Sequence, residues 1–61
     1  MPMVHVLMYE GRTLDQKRDL VKKVTEAVCE SVDCKPASVI ITIEEMTKEH
    51  HATAGILACD K

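Results

Sequence analysis

Apolar residues dominate the first stretch of the chain, where Met3–Tyr9 reads Met-Val-His-Val-Leu-Met-Tyr. Only His5 interrupts this run, and a nearly continuous apolar segment of this length is typical of a strand covered on both faces. The polar segment that follows, Glu10-Gly11-Arg12, contains a glycine, which gives the backbone the freedom for a sharp exit. The pattern therefore predicts a first strand over Met3–Tyr9 and a loop directly after it.

Helical spacing begins after this loop. Thr13 and Gln16 stand three residues apart and match a capping box, in which each side chain bonds the backbone of the other. We predict a helix from about Leu14 to about Asp33. Its apolar stripe comprises Leu20, Val21, Val24, Ala27, Val28 and Val32. Charged residues occupy the other sides, which is typical of a solvated helix face.

The segment after the helix predicts a second strand. Lys35-Pro36 ends the helical pattern, because the residue before a proline avoids the helical region. Val39–Glu45 is then dominated by β-branched residues. A strand, a long helix and a strand form a βαβ unit with parallel strands and a right-handed crossover, which places the chain in the α/β class. One helix covers one face of such a sheet, so we expect a partner chain on the other, rich in Val, Ile and Met.

The tail from Thr47 to Lys61 is less periodic. Its Ala52–Cys59 segment is small and largely apolar. Two interpretations remain open: a short hairpin that turns near Gly55, or a strand that docks on a neighbouring subunit.

Length and composition also favour self-association. The 61 residues are expected to form a single domain over 1–61, and a chain of this size buries only about 60% of its unfolded surface. Domains this small usually need disulfides, a metal or oligomerisation. The three cysteines, Cys29, Cys34 and Cys59, contain no C-x-x-C pair, so we interpret them as free buried thiols in a reducing compartment. With His5, His50 and His51 they offer no structural-zinc spacing, and no metal is expected.

Charge and hydropathy exclude several classes of function. The net charge is −2, and the basic residues are mixed with acids along one helix, which argues against nucleic acid as a partner. The first residues do not resemble a signal peptide, and no apolar run approaches the 18 or more residues of a membrane span. We expect a cytoplasmic protein that does not bind a membrane.

Candidate chemistry begins at Pro2, directly after Met1. Met aminopeptidases generally remove Met before a small residue, and removal here would leave a free secondary amine that can exchange a proton with carbon. The alternative is that Pro2 only begins a strand. Arg12, whose planar fork suits a carboxylate, follows the other end of that strand. About ten extended residues span roughly 30 Å, so the two side chains are expected to meet only between subunits.

Several motifs along the chain carry a family resemblance. They are Pro2 after Met1, His5-Val6-Leu7, Glu10-Gly11-Arg12-Thr13, Asp15-Gln16-Lys17, Val24-Thr25-Glu26-Ala27 and Ile43-Glu44-Glu45-Met46, followed by Lys48, His50 and Gly55. Over nearly its whole length the chain resembles the 4-oxalocrotonate tautomerase family. The resemblance implies a βαβ protomer that pairs into dimers with joined sheets and assembles as a hexamer, a trimer of dimers. It also implies isomerase chemistry without a cofactor.

Within this resemblance, Pro2 matches the catalytic base and Arg12 the arginine that grips a substrate carboxylate. Two pocket positions depart from the family pattern. Ile40 stands where the well-studied tautomerases have a second arginine, and His51 stands where they have an aromatic residue that keeps the proline's surroundings apolar. The implied activity is therefore a keto–enol tautomerase acting on a small carboxylate, with its dicarboxylate preference in question.

Two alternatives remain open at this stage. The chain could be a non-catalytic or hetero-oligomeric subunit, in which another paralogue supplies the missing arginine. It could also be a related dehalogenase, hydratase or decarboxylase that acts on unsaturated acids, although no additional acidic or arginine residue for that chemistry can be placed.

Overall fold

A computed structural model describes residues 1–61 and confirms the βαβ unit. Its helices and strands are β1 (Met3–Tyr9), α1 (Leu14–Val32), β2 (Ile40–Met46), β3 (Ala52–Thr53) and β4 (Ile56–Leu57), with 3-10 turns at Pro36–Ser38, Lys48–His50 and Ala58–Asp60. β1 and β2 pair in parallel, with Met3 opposite Ile40 and Tyr9 opposite Met46. The predicted bounds of β1 are therefore confirmed.

Both ends of α1 follow from local backbone chemistry. The predicted capping box is present: the Gln16 backbone N–H donates to Thr13 Oγ1 at 3.1 Å, and the Thr13 N–H donates to Gln16 Oε1 at 2.8 Å. The helix ends one residue before the predicted Asp33, because Asp33 adopts the left-handed conformation at φ 56° and ψ 62°. A residue in this region caps a helix instead of continuing it.

β2 begins one residue later than predicted. The Val39 N–H donates to the Pro36 carbonyl at 3.1 Å and so belongs to the short 3-10 turn that proline initiates. Pairing with β1 starts at Ile40, whose N–H donates to the Pro2 carbonyl at 3.0 Å. The strand then continues to Met46, one residue beyond the predicted end.

The C-terminal tail contains the short hairpin, which confirms the first of its two interpretations. Ala52 pairs with Leu57 and Thr53 with Ile56 in antiparallel register. The two residues between the strands, Ala54 and Gly55, have positive φ angles of 55° and 82°. Two-residue hairpin loops favour this backbone because its twist matches that of the flanking strands.

One face of the β1–β2 sheet lies under the helix. Val4, Val6 and Met8 of β1 are half-buried there, as are Ile41 and Ile43 of β2. The half-buried helix residues are Lys17, Leu20, Val21, Val24, Thr25, Val28 and Cys29. The predicted stripe was wrong about Ala27 and Val32, both of which are exposed.

The opposite face of the sheet, which we call the open face, has no covering layer. It comprises Met3, His5, Leu7 and Tyr9 of β1 with Ile40, Thr42 and Glu44 of β2. Its apolar members include Met3 at 78% exposure and Leu7 at 55%. The expectation of a face rich in Val was wrong, because the alternation directs the valines of β1 to the helix.

The dimensions of the protomer are those of an incomplete globule. No residue is fully buried, and the accessible surface of 4891 Å² exceeds the about 4,000 Å² of a compact monomer of this mass. The radius of gyration is 14.7 Å, against about 10.5 Å for a compact chain of this length. The excess surface is consistent with a fold that is completed by other chains.

Two further expectations concern the cysteines and membrane-spanning helices. The three cysteines are free, as predicted, but none is buried: Cys29 and Cys34 are half-buried, and Cys59 is exposed. In an uncovered two-layer protomer, no position is enclosed enough to bury a thiol. None of the helices has both the length and the apolar character that a membrane span requires.

Candidate functional site

Pro2 lies immediately before β1 and is half-buried. Its carbonyl accepts the hydrogen bond from Ile40 N–H, so the backbone of β2 fixes the start of the chain. Met1 precedes it and is 87% exposed. Ile40, the pocket position expected to differ from the family pattern, is therefore adjacent to Pro2 in the same protomer. We call this region the proline end of the sheet.

Arg12 lies at the other end of β1, which we call the arginine end. It borders a groove of about 300 Å³ between the end of β1 and the first turns of α1. The groove is lined by Met8, Arg12, Gln16, Lys17, Asp19, Leu20 and Lys23. The helix residues in this set were not identified as site residues from the sequence. The available signal was their place in the first three turns of the helix that follows Arg12.

Arg12 differs from the other cations in its groove. Lys17 forms an ion pair with Glu45 of β2, and Lys23 forms one with Asp19 at 2.8 Å. The hydrogen bond and the charge of Asp19 raise the pKa of Lys23. Arg12 has no carboxylate within salt-bridge distance. It is thus the cation of this groove whose fork is free to donate two hydrogen bonds to a ligand carboxylate.

His51 also lies toward the arginine end. Its ring meets that of Tyr9 edge to face, with the ring centroids 5.8 Å apart and the planes at 86°. The His51 carbonyl accepts a hydrogen bond from Ala58 N–H at 2.8 Å, which ties it to the C-terminal segment. The contact with Tyr9 was not predicted, because it joins residues 42 positions apart in the sequence. It supplies an aromatic ring beside the histidine.

The four predicted site residues therefore fall into two groups. Pro2 and Ile40 lie at the proline end, whereas Arg12 and His51 lie toward the arginine end. The strand between them has seven residues and spans about 23 Å. One protomer does not bring the two groups together. The structure also contains no cluster of three or more potential metal-ligating side chains from His, Cys, Asp and Glu.

Comparison with known proteins gives consistent matches across the chain. The family model described as "Tautomerase enzyme" matches residues 2–58. A 2-hydroxymuconate tautomerase from Bacillus subtilis (strain 168) is 54% identical over 55 residues, which cover 90% of this chain and 89% of that protein. The crystal structure of YwhB, a homologue of 4-oxalocrotonate tautomerase, superposes with a TM-score of 0.94 at 50% identity and covers 98% of each chain.

A further match concerns an assembly of a different kind. A heterohexamer 4-oxalocrotonate tautomerase from Chloroflexus aurantiacus J-10-fl superposes with a TM-score of 0.90 at 28% identity. The alignment covers 98% of this chain and 97% of that one. The protomer therefore shares its fold with a chain of that heterohexamer.

Proposed function

Because the chain belongs to the tautomerase family and is an isomerase of the 4-oxalocrotonate tautomerase type, we propose that it moves a proton within enol or dienol acids. In this proposal Pro2 is the general base, and Arg12 holds a substrate carboxylate. The observation that carries the proposal is the 54% identity to a 2-hydroxymuconate tautomerase over 90% of the chain. No cofactor is required, because the reaction only relocates a proton and a double bond.

The proposed step is balanced within one substrate molecule. The neutral amine of Pro2 takes the proton from the 2-hydroxyl group of a dienoate, and the oxygen becomes a carbonyl as the conjugated electrons shift along the chain. The protonated amine then returns the proton to a carbon of that conjugated system. One O–H bond breaks and one C–H bond forms, so no atom or electron is gained or lost.

This role requires the Met1–Pro2 bond to be cleaved. While Met1 is attached, the Pro2 nitrogen is an amide and is not basic. The high exposure of Met1 supports access by an aminopeptidase. A free secondary amine is also too basic to be neutral at pH 7 unless its cation is destabilised. A nearby guanidinium and partial desolvation would both lower its pKa.

Assembly would supply that guanidinium. Both edges of the β1–β2 sheet are free. If two sheets join antiparallel along β1, the proline end of one copy lies beside the arginine end of its partner. Arg12 and His51 of one copy would then meet Pro2 and Ile40 of the other. A trimer of such dimers would give the proposed hexamer and would also cover the open face.

The surroundings of Pro2 favour little discrimination between monoacid and dicarboxylate substrates. Ile40 offers no charge at the position where a second arginine would hold the far end of a dicarboxylate. We therefore propose that a monoacid enol such as phenylenolpyruvate is converted about as well as a dicarboxylate dienol. Arg12 needs only one carboxylate, which both substrates carry.

The specific alternative is a mixed hexamer, favoured by the likeness to the Chloroflexus heterohexamer. In that arrangement a different chain would supply the cation that Ile40 lacks. Native mass spectrometry distinguishes the two cases. The protein alone should give a hexamer in the homomeric case, whereas a monomer or dimer that acts only after a second chain is added would support the mixed one.

The decisive experiment compares Met1-free protein with Pro2→Ala and with a form that retains Met1. Intact mass first establishes the N-terminus of each sample. Ketonisation of 2-hydroxymuconate and of phenylenolpyruvate is then followed by absorbance. A general base contributes about 10²- to 10⁴-fold, so both altered forms should lose activity in that range. Full activity in either altered form would rule out Pro2 as the base.

A further inference from the structure

The C-terminal end of α1 brings two thiols together. The Sγ atoms of Cys29 and Cys34 lie 3.9 Å apart, and both residues are half-buried. Neither belongs to the proposed tautomerase site. The third cysteine, Cys59, is exposed near the C-terminus and is not in contact with this pair.

The backbone holds the two cysteines in this position. The N–H groups of Asp33 and Cys34 both donate to the Cys29 carbonyl, the second at 3.4 Å. Asp33, in the left-handed conformation, turns the chain back so that Cys34 returns over the last turn of the helix. This is a helix C-terminal motif in which the residue after the left-handed cap, here Cys34, normally makes an apolar contact with a residue of the last helical turn, here Cys29. Here both of those side chains are thiols.

We propose that Cys29 and Cys34 are a redox-active dithiol that forms a reversible disulfide within one protomer. The two Sγ atoms must approach from 3.9 Å to about 2.05 Å. This requires the cysteine side chains to rotate while the hydrogen-bonded backbone turn stays in place. The disulfide would close a short loop across the helix end. It needs no second copy of the chain and no metal.

Hydrogen peroxide is the oxidant in this proposal. One thiolate attacks a peroxide oxygen, the O–O bond breaks, and a sulfenic acid and water form once protons are transferred. The second thiol then attacks the sulfenic sulfur, which forms the S–S bond and releases the second water. Two thiols lose two electrons in total, and the peroxide gains them. A small dithiol or glutathione would reverse the reaction by thiol–disulfide exchange.

The environment of Cys29 affects its reactivity. Desolvation, followed by the hydrogen bond with Cys34, raises the pKa of Cys29. A thiol with a raised pKa presents less thiolate at neutral pH, which slows its attack on peroxide.

The test uses the full chain and exploits Glu30, which lies between the two cysteines. The protein, at about 10 µM, is treated with hydrogen peroxide, its remaining thiols are alkylated, and it is digested with a protease that cleaves after Glu. We expect the Cys29 and Cys34 peptides to remain joined until a reductant is added. Cys59 should be recovered outside this linked pair, and Cys59→Ser should give the same result.

Variants distinguish an internal disulfide from random pairing. An effective concentration in the millimolar range should make Cys29–Cys34 linkage about a hundredfold faster than linkage between copies at about 10 µM. The rate should not change when the protein is diluted. Cys34→Ser and Cys29→Ser should each abolish the linked peptides. Linkage mainly through Cys59, or a linkage rate that falls with dilution, would overturn the proposal.

Discussion

The two faces of the β1–β2 sheet have the same backbone but very different surroundings. On the helix-covered face, Val4, Val6 and Met8 alternate into a half-buried apolar layer. On the open face, Met3, Leu7 and Ile40 remain exposed beside polar neighbours. One of those polar contacts joins His5 Nε2 and Glu44 Oε1 at 3.0 Å. The contrast indicates that the helix-covered face holds the protomer together, whereas the open face is available for association.

The largest effect should follow from a charge on the open face. Leu7→Glu would place a carboxylate opposite Glu44 in the strand register. If another copy covers this face, an unpaired buried charge costs about 3–5 kcal/mol. We expect the proposed hexamer to dissociate in sedimentation velocity and the tautomerase activity to fall with it. Val32→Glu is the matched control, because Val32 is exposed to a similar extent, 59%, but lies at the end of the helix. A hexamer that survives Leu7→Glu would mean that the open face is not the interface.

The second prediction compares Arg12, which borders the groove beside the helix, with Ile40, which lies on the open face. Arg12→Ala should lower kcat/KM by about one to two orders of magnitude, because a charged hydrogen bond is worth about 1.5–3 kcal/mol. Ile40→Ala should change it much less. Steady-state kinetics with 2-hydroxymuconate and a monoacid enol measure both. A dicarboxylate preference of several hundredfold in the unmodified protein would show that another cation binds the second carboxylate.

A smaller and directly matched comparison uses neighbouring residues of β1 that point to opposite faces. Val6→Ala and Leu7→Ala should each remove apolar burial worth about 1–2 kcal/mol of stabilising free energy. Val6→Ala should lower Tm while leaving the dissociation midpoint of the assembly unchanged. Leu7→Ala should raise that midpoint about five- to thirtyfold, measured by dilution and native mass spectrometry. Equal effects of both variants on assembly would mean that the two faces are not energetically distinct.

The smallest effect concerns the helix alone. Thr13→Ala removes the side-chain oxygen that accepts from Gln16 N–H. Loss of such a cap costs about 1 kcal/mol, which lowers Tm by about 4–8 °C in a domain of this size. Thermal unfolding followed by circular dichroism measures this, with Thr53→Ala in the hairpin as a control that removes no helix cap. A similar loss from both variants would indicate that the capping box contributes little.

Local sequence signals predicted most of this fold. A nearly continuous apolar run identified β1, β-branching identified β2, and Thr13 with Gln16 identified the start of the helix. The errors in the bounds of α1 and β2 arose where a backbone conformation decided the outcome. Asp33 ended the helix by adopting a left-handed conformation, and Val39 joined a 3-10 turn instead of β2. Residue type specifies these choices only weakly, because asparagine and aspartate tolerate both conformations and valine accepts either role.

The sequence predicted individual residues of the candidate site better than it predicted the contacts between them. Pro2 and Arg12 carry chemical types that stand out in the sequence, and their separation along β1 followed from strand geometry. The ring contact between Tyr9 and His51 depends on the path of the whole tail. The Cys29–Cys34 pair depends on the turn at Asp33, and a spacing of five residues does not place side chains on one face of a regular helix. Neither contact has a signature in local sequence.

The hydrogen bond from Ile40 N–H to the Pro2 carbonyl has an evolutionary consequence. The pyrrolidine ring restricts rotation about its own N–Cα bond, and the β2 backbone restrains the carbonyl on the other side. The direction of the proline nitrogen is therefore restrained by its own ring and by the main chain of β2. Side chains around it, including the one at position 40, can be exchanged without moving that nitrogen. A scaffold of this kind lets selection explore new substrates one residue at a time while the atom proposed to react keeps its position.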